Sequence, residues 1–383
     1  MIDRRRFLAL SGLASGLLLT PRLALAAAHT DRRLVFIILR GAMDGLATVM
    51  PIGDPAYAAL RGNFGPPPNA GTPIALGGEF ALHPALAETG ELYARGEALF
   101  VHAIASPYRE RSHFDAQNVL ETGGTAAYAL KDGWLNRLLP LLPATGEPAV
   151  ALSPTVPMAL RGSAPSTSYA PSQLPQADED LLGRVAAMYA GDPQLHALWS
   201  QALDARLLAG TEAQGRANPE ALGKLAATFL AKPDGARVAV IELLGWDTHA
   251  GQAGRLNAQL KQLDGTIAAL RTGLGSDWSK TVVVAATEFG RTAAPNGTGG
   301  TDHGTGGVAL VAGGAVKGGR VVTDWPGLAP AQLYEGRDLK PTADLRALFA
   351  GLAAEHFRID PQRVARTVFG SDPIRPLTGL VRV

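Results

Sequence analysis

The chain has 383 residues, a formal net charge of +1, 45 glycines, 27 prolines and no cysteine. With both signs scattered along it, such a charge gives no electrostatic footprint for nucleic acid or an anionic membrane surface, and neither is expected as a partner. Without cysteine there is no disulfide and no thiolate metal ligand, so any metal must be held by His, Asp, Glu or hydroxyl groups.

Residues 1–28 have the pattern of a processing segment. Arg4, Arg5 and Arg6 precede the apolar run FLALSGLASGLLL, and the small residues that follow offer A-x-A sites ending at Ala26 or Ala28. The run is shorter than the roughly 20 apolar residues of a spanning helix, so cleavage is expected and no stable membrane span after it. With Phe7 and Leu8 in place, DRRRFLAL is similar to a twin-arginine export signal. That likeness implies the twin-arginine translocase as a partner during export and a periplasmic or secreted destination; an ordinary secretory signal is the alternative. About 355 residues would remain, enough for one large core or two lobes.

Uniformly apolar, β-rich runs then recur at Arg33 to Leu39, Ala98 to Ala105, Ala236 to Gly245 and Thr281 to Ala286. Strands of this kind are buried on both faces. Helical patterns lie between them; after Gly254, residues Leu256, Leu260, Leu263, Ile267, Leu270 and Leu274 form one apolar stripe. The alternation predicts an α/β fold with a mostly parallel sheet flanked by helices on both faces. Gly162 to Asp180 is rich in Ser, Pro, Ala and Gln and reads as a loop. Leu181 to Lys232 has helical patterns and no strand signal. Residues 162–232 are therefore expected as a loop and helical insert, one use of which is a lid over the carboxyl edge of the sheet.

Five places can carry chemistry. At the end of the first strand, LVFIILRGAMDGL delivers Asp44, a ligand or simply a turn residue bonded to its own backbone. In YRERSHFDAQNVLETG, Ser112 with Asp115 three residues on makes a capping-box pattern. A helix N-terminus also favours a nucleophile or oxyanion, with His113 as a base and Arg109 and Arg111 as cations for phosphate or sulfate. In VIELLGWDTHAGQ, Asp247 and His249 suit zinc or a similar ion, or form a solvated loop, and Glu242 on the same strand needs a cationic neighbour. In TVVVAATEFGRTAAPNG, Glu288 is a metal ligand or an ion-pair partner of Arg291. In GTGGTDHGTGG, His303 lies among glycines that let the backbone approach a ligand, or is an idle loop imidazole. His83, His102 and His196 have apolar or helical surroundings and are expected to be structural or surface residues.

Taken in order, RGAMDGL, FALHPAL, RSHFDAQNVLETG, GWDTHAGQ, TEFGRT, NGTGGTDHGTGG and VKGGRVVTDWPGL resemble the domain-of-unknown-function family 1501 across nearly the whole mature chain. That family in turn resembles the alkaline phosphatase superfamily of phosphatases, sulfatases and phosphoglycerate mutases with two adjacent divalent metals. The resemblance implies Asp44 as the aspartate after the first strand, Ser112 as a helix-capping nucleophile, Asp247 and His249 as later ligands, Glu242 as the acidic ligand of a third ion, and His303 as the last histidine of the first metal site. It departs at TEFGRT, where an Asp-His pair is expected and Glu288-Phe289 stands; Phe289 cannot ligate a metal, and His113 is the residue that could compensate.

The expected function is an exported, metal-dependent hydrolase acting on phosphate or sulfate esters of a small molecule or polymer. Zinc is the first choice of ion, with manganese, magnesium or calcium as others. Ser112 or an activated water attacks, with His113 and Arg111 beside it. The alternative is a non-catalytic exported binding or assembly protein that kept the fold with a degenerate metal site.

Overall fold

A run of alternating large apolar residues can serve two helical layers at once only if it sits in the middle of a sheet, and Arg33–Arg40 (β1) does so. The structure, a computed structural model, describes residues 30–62, 64–143, 149–171, 179–209, 218–370 and 374–382. The expected signal segment, with its arginines and cleavage sites, lies outside these. After β1 come α1 (Gly45–Thr48), β2 (Val49–Met50), α2 (Pro55–Arg61), β3 (Ile74–Ala75), β4 (Ala81–Leu82), α3 (Ala87–Ala94), β5 (Ala98–Ala105), α4 (His113–Thr122), α5 (Trp134–Leu138), β6 (Ala149–Leu152) and β7 (Thr167–Ser168). Then follow α6 (Glu179–Tyr189), α7 (Pro193–Ala209), α8 (Pro219–Ala231), β8 (Val238–Leu244), α9 (Gln252–Leu274), β9 (Thr281–Thr287), β10 (Gly307–Ala312), β11 (Arg320–Val322), β12 (Ala343–Asp344), α10 (Leu345–Phe357) and α11 (Pro361–Phe369).

The main sheet runs β11-β5-β10-β9-β1-β8-β6-β7, with β12 also paired to β5. Every pairing is parallel except those of β10 with β5 and β9. Strands β2, β4 and β3 make a small antiparallel sheet. The fold is thus α/β, with a mostly parallel sheet between helical layers, as the strand and helix patterns require. Successive side chains of β1 point to opposite faces. Val35, Ile37 and Leu39 join the core under α3, α8 and α9, while Leu34, Phe36 and Ile38 join the core under α5, α10 and α11. The six stripe residues of α9 are all buried.

Two expectations change. The polar stretch after Gly162 contains β7, which extends the sheet beside β6. Helix α8 also belongs to the sandwich, because Leu222, Leu225, Phe229 and Leu230 pack into the core beside α9. This narrows the insert to α6 and α7. Strands β6 and β10 were not foreseen; four and six residues long, they give a weak periodic signal.

The lone antiparallel strand positions the site. Because β10 runs opposite to β9, the long loop between them, residues 288–306, starts and ends at the same sheet edge as the carboxyl ends of β1, β5 and β8. Elements leave β1 to both sides, toward β9 and toward β8, the arrangement that opens a crevice at the carboxyl edge.

Candidate metal centre

Three imidazoles and one carboxylate from that edge meet at short range. His113 opens α4, Asp247 and His249 follow β8, and His303 comes from the β9–β10 loop. The Nε2 atoms of His113 and His303 are 3.0 Å apart, and those of His249 and His303 are 2.9 Å apart. Asp247 Oδ1 lies 3.1 Å from His249 Nε2 and 3.6 Å from His303 Nε2, and Oδ2 lies 3.5 Å from His113 Nε2. His113, Asp247 and His303 form the tight trio, each offering an atom within 4.8 Å of the other two. His249 joins from the open side, against His303 and Asp247.

The outer nitrogens fix the tautomers. Nδ1 of His113 donates to the Glu288 carboxylate at 2.8 Å, Nδ1 of His249 to the Asp302 carboxylate at 2.9 Å, and Nδ1 of His303 to the Arg111 carbonyl at 3.0 Å. A carbonyl and an ionised carboxylate only accept, so each Nδ1 carries a hydrogen, and in the neutral form of each ring Nε2 is the atom left with a lone pair. Burial alone would raise the Glu288 pKa, but hydrogen bonds from His113, Gln117 and Thr287 outweigh it and hold the carboxyl below its ordinary range. Hydrogen bonds from Asn296 and His249 lower Asp302 in the same way. Lone pairs turned toward one another at these separations repel unless a cation lies between them. Tetrahedral bonds of about 2.0–2.1 Å set ligand atoms about 3.3 Å apart, close to the spacings of the trio. Nitrogen and oxygen donors fit zinc or a similar borderline divalent ion.

Local structure brings these groups together. At Gly41 (φ +120°), a Cβ would lie 2.5 Å from the Asp247 backbone nitrogen, so only glycine lets the end of β1 pass behind that residue. The Gly41 N–H donates to Glu288. A Cβ on Gly300 would meet the His249 carbonyl at 2.2 Å, and its absence lets the β9–β10 loop lie on the β8 loop. Arg111 sits at φ +60°, an uncommon conformation for a side-chain-bearing residue, and this turn aims its carbonyl at His303.

Behind the centre runs a buried polar chain. Arg291 donates to Asp247 at 2.7 Å and to the Thr301 hydroxyl at 3.1 Å. The Gln252 side-chain oxygen accepts from Thr248 at 2.8 Å and Thr301 at 2.6 Å, and its amide nitrogen donates to Asp44 at 2.6 Å. One amide therefore ties together the loop of Asp247 and His249, the loop of Asp302 and His303, and the end of β1. Burial opposes ionisation of Asp247, yet Arg291 holds its pKa below the ordinary range. Phe289 closes the floor, its ring centroid 4.9 Å from that of His113 and 5.2 Å from that of His303.

Several site residues stand elsewhere than the sequence suggested. Asp44 does not face the group: its carboxylate caps α1, pairs with buried Arg61 at 2.6 Å and accepts from Gln252, leaving no free lone pair toward an ion. Glu242 points away to Arg40 and to Ser153 at 2.6 Å, so the cation it needed is Arg40, itself shared with Glu121 at 2.9 Å. Glu288 lies behind His113 and does not pair with Arg291. The Arg111 guanidinium is engaged by Asp338 and Glu335, and only its backbone carbonyl touches the centre. His113 is not beside the group as a base but within it. Ser112 is the N-cap of α4, yet its side chain makes no capping hydrogen bond, so the expected capping box is not formed. Asp247, His249 and His303 are brought together. His83 and His102 are buried elsewhere, and His196 is exposed on α7.

Sequence reasoning passed over Asp302 and Gln252. Asp302 precedes His303 in TDHGTGG, and an acid beside a candidate ligand is the available signal for a group that orients an imidazole. Gln252 offered no such signal, since its partners lie on three separate segments.

The site therefore belongs to a class of α/β proteins that carry a cluster of histidine and aspartate at the carboxyl edge of a parallel sheet. The model of the family described as protein of unknown function (DUF1501) matches residues 98–369, and the chain belongs to that family. No curated protein matches the chain. Among solved structures it is similar to the C-terminal periplasmic domain of EcEptC from Escherichia coli in complex with Zn, at 10% identity, covering 74% of this chain and 73% of that one, with a TM-score of 0.37. An alkaline phosphatase from the Antarctic bacterium TAB5 has 13% identity, 74% and 92% coverage and a TM-score of 0.36. A putative sulfatase from Bacteroides thetaiotaomicron has 10% identity, 91% and 76% coverage and a TM-score of 0.43. Scores this low decide neither fold nor chemistry, which rest on the topology and the site themselves.

Proposed function

We propose that the protein is a metal-dependent hydrolase of phosphate or sulfate esters, exported by the twin-arginine route and acting in the periplasm or outside the cell. The observation that supports it is the set of three imidazoles whose Nδ1 hydrogens are all taken by outer acceptors, which turns their Nε2 atoms toward one another beside the Asp247 carboxylate. His113, Asp247 and His303 would hold the ion, with His249 as a fourth ligand or the wall of the open side. A divalent ion supplies Lewis acidity toward an ester oxygen. Glu288, Asp302 and the Arg111 carbonyl keep the imidazoles oriented, and Arg291 holds Asp247. Ser112, adjacent to His113 and free of a capping bond, is the assigned nucleophile, with water as the substitute.

The test is elemental analysis of the purified chain with a screen of aryl phosphates, phosphodiesters and aryl sulfates. Roughly one zinc or manganese per chain, and turnover lost on chelation and restored by the ion, are the expected results. A metal-free preparation that keeps its fold and its turnover overturns the proposal. One observation favours a second reading, a non-catalytic exported binding or assembly protein: Asp44, which the superfamily likeness makes a ligand, is locked to Arg61. Stoichiometric metal with no turnover on any of these esters would select it.

A further inference from the structure

With His113 inside the metal group, the serine beside it must be oriented by another residue. Nδ1 of His113 is taken by Glu288 at 2.8 Å and Nε2 faces His303 at 3.0 Å, so neither ring nitrogen is left for the Ser112 hydroxyl. That hydroxyl makes no bond to the first turn of α4. Tyr108, four residues earlier, supplies the partner: the Ser112 hydroxyl and N–H both hydrogen-bond to its phenol oxygen. The Tyr108 O–H in turn donates to Asp115 Oδ2 at 3.3 Å, long for such a pair, as hydrogen bonds in unliganded active sites often are. A carboxylate only accepts, so the phenol hydrogen goes to Asp115 and the phenol oxygen receives the hydrogen of Ser112. The chain of bonds therefore has one direction, from Ser112 through Tyr108 to Asp115.

The Tyr108 ring is held in place by packing. It is 9% exposed and clusters with Ala42, Ala116, Val119 and Phe289, the last being the floor beneath His113 and His303. Burial raises its pKa above the ordinary value despite the Ser112 donors, so the phenol stays neutral and serves as acceptor and donor at once. Asp115 also accepts from Tyr128, which is 54% exposed and whose N–H goes to Asn118. One carboxylate thus holds two phenols, one of which carries Ser112.

We propose that Tyr108 is the positioning residue of the Ser112 nucleophile. Fixed by its ring packing and by Asp115, it draws the hydroxyl hydrogen of Ser112 to one side and leaves both Oγ lone pairs for the phosphorus or sulfur of an ester. A serine hydroxyl is a weak nucleophile on its own, and its orientation decides how often it meets the ester in line. The inference rests on the hydrolase reading and deepens it, since it assigns to Tyr108 the orienting work that the sequence gave to His113.

The experiment measures kcat, KM, bound metal and melting temperature of the metal-loaded chain with nitrophenyl phosphate, bis-nitrophenyl phosphate and nitrophenyl sulfate. The proteins are the wild type, Tyr108→Phe, Asp115→Asn, Tyr128→Phe, Ser112→Ala and Tyr108→Phe combined with Ser112→Ala. Tyr108→Phe is expected to lower kcat about 100-fold with KM and bound metal little changed. Asp115→Asn should lower kcat less, and Tyr128→Phe should leave it as in the wild type. In the Ser112→Ala background, Tyr108→Phe should lower the residual rate no further, because a residue that acts only through Ser112 has nothing left to position. A further loss in that background marks a structural role and overturns the proposal, as does an unchanged kcat in Tyr108→Phe. Where Ser112→Ala leaves no measurable rate, the split between kcat and KM at unchanged metal content decides, and a loss of metal or a rise in KM alone overturns the proposal. If Tyr108→Phe does not fold, Asp115→Asn, alone and combined with Ser112→Ala, carries the comparison. The two readings fail differently. Absence of turnover on every ester by the metal-loaded wild type overturns the hydrolase reading and the inference with it, whereas turnover indifferent to Tyr108→Phe overturns the inference alone.

Discussion

Asp44 and Asp247 follow the carboxyl ends of the neighbouring strands β1 and β8, yet they live in different regions. Asp44 is 1% exposed and closed off by Arg61, Gln252 and the start of α1. Asp247 is 42% exposed at its side chain, and its one buried partner, Arg291, leaves it facing three imidazoles. Position at a sheet edge therefore offers an acid to chemistry but does not assign it. The assignment depends on which cation arrives from another part of the chain, and whether that cation exhausts the carboxylate's lone pairs.

The largest effect that can break this comparison is on stability. Arg61→Ala leaves a charge buried without its partner and should cost about 3–5 kcal/mol, seen as a fall in the denaturation midpoint. Metal content of the protein that remains folded should be unchanged. If Arg61→Ala instead strips the metal, Gln252 couples the two regions and the contrast between them is false.

That contrast also shows what was legible beforehand. The β1, β5, β8 and β9 runs and the stripe of α9 were plain, because burial on two faces or along one stripe writes itself into consecutive residues. That Asp247 and His249 end a buried strand was legible from the sequence, whereas the convergence of His303 with them was implied only by the family resemblance, since β10, which returns its loop to this edge, was not foreseen. The partners were hidden. Arg40 meets Glu242 across 202 positions and Arg291 meets Asp247 across 44, and nothing local encodes such pairs. The place of His113 was half legible: beside Ser112 it reads as a base, while the family resemblance offered it as the imidazole that compensates for Phe289, and the Glu288 bond and the Phe289 ring contact are what turn it into the group.

A second test uses pH on a histidine far from the group. His102 donates from Nε2 to the Val49 carbonyl and accepts at Nδ1 from the Ala103 N–H, and burial pushes its pKa down to about 4. The unfolded imidazole binds a proton below about 6.5 while the folded one resists. Stability from this residue is therefore complete above pH 6.5 and lost as pH falls toward 4, on the order of 3 kcal/mol. Urea midpoints between pH 7 and 4 should fall more steeply for the wild type than for His102→Gln. Parallel curves would mean that His102 takes up its proton without unfolding.

A smaller effect sharpens the open region. Glu288→Gln keeps the shape but removes the charge that orients His113 and makes it basic. On the metal reading this should lower metal affinity about 10- to 100-fold, measured by competition with a chromophoric chelator. Asp44→Asn, in the closed region, should leave metal affinity unchanged. Equal losses from both would place the two acids in one site after all.

The smallest effect on stability is expected at Ser112, where it is the most informative. An N-cap serine that accepts a hydrogen bond from the first turn typically contributes about 0.5–2 kcal/mol. Ser112 has the extended backbone of a cap but makes no such bond, so Ser112→Ala should change stability by less than about 0.5 kcal/mol. A nucleophile in that position would nevertheless be irreplaceable. Ser112→Ala should remove nearly all ester turnover without loss of bound metal, and Ser112→Asp should do the same while capping α4 at least as well. Melting temperature, metal content and turnover measured together separate the roles. Full turnover in a folded, metal-loaded Ser112→Asp protein would exclude the hydroxyl as the attacking group and leave water, entering from the exposed side near Asp247 and His249, as the nucleophile.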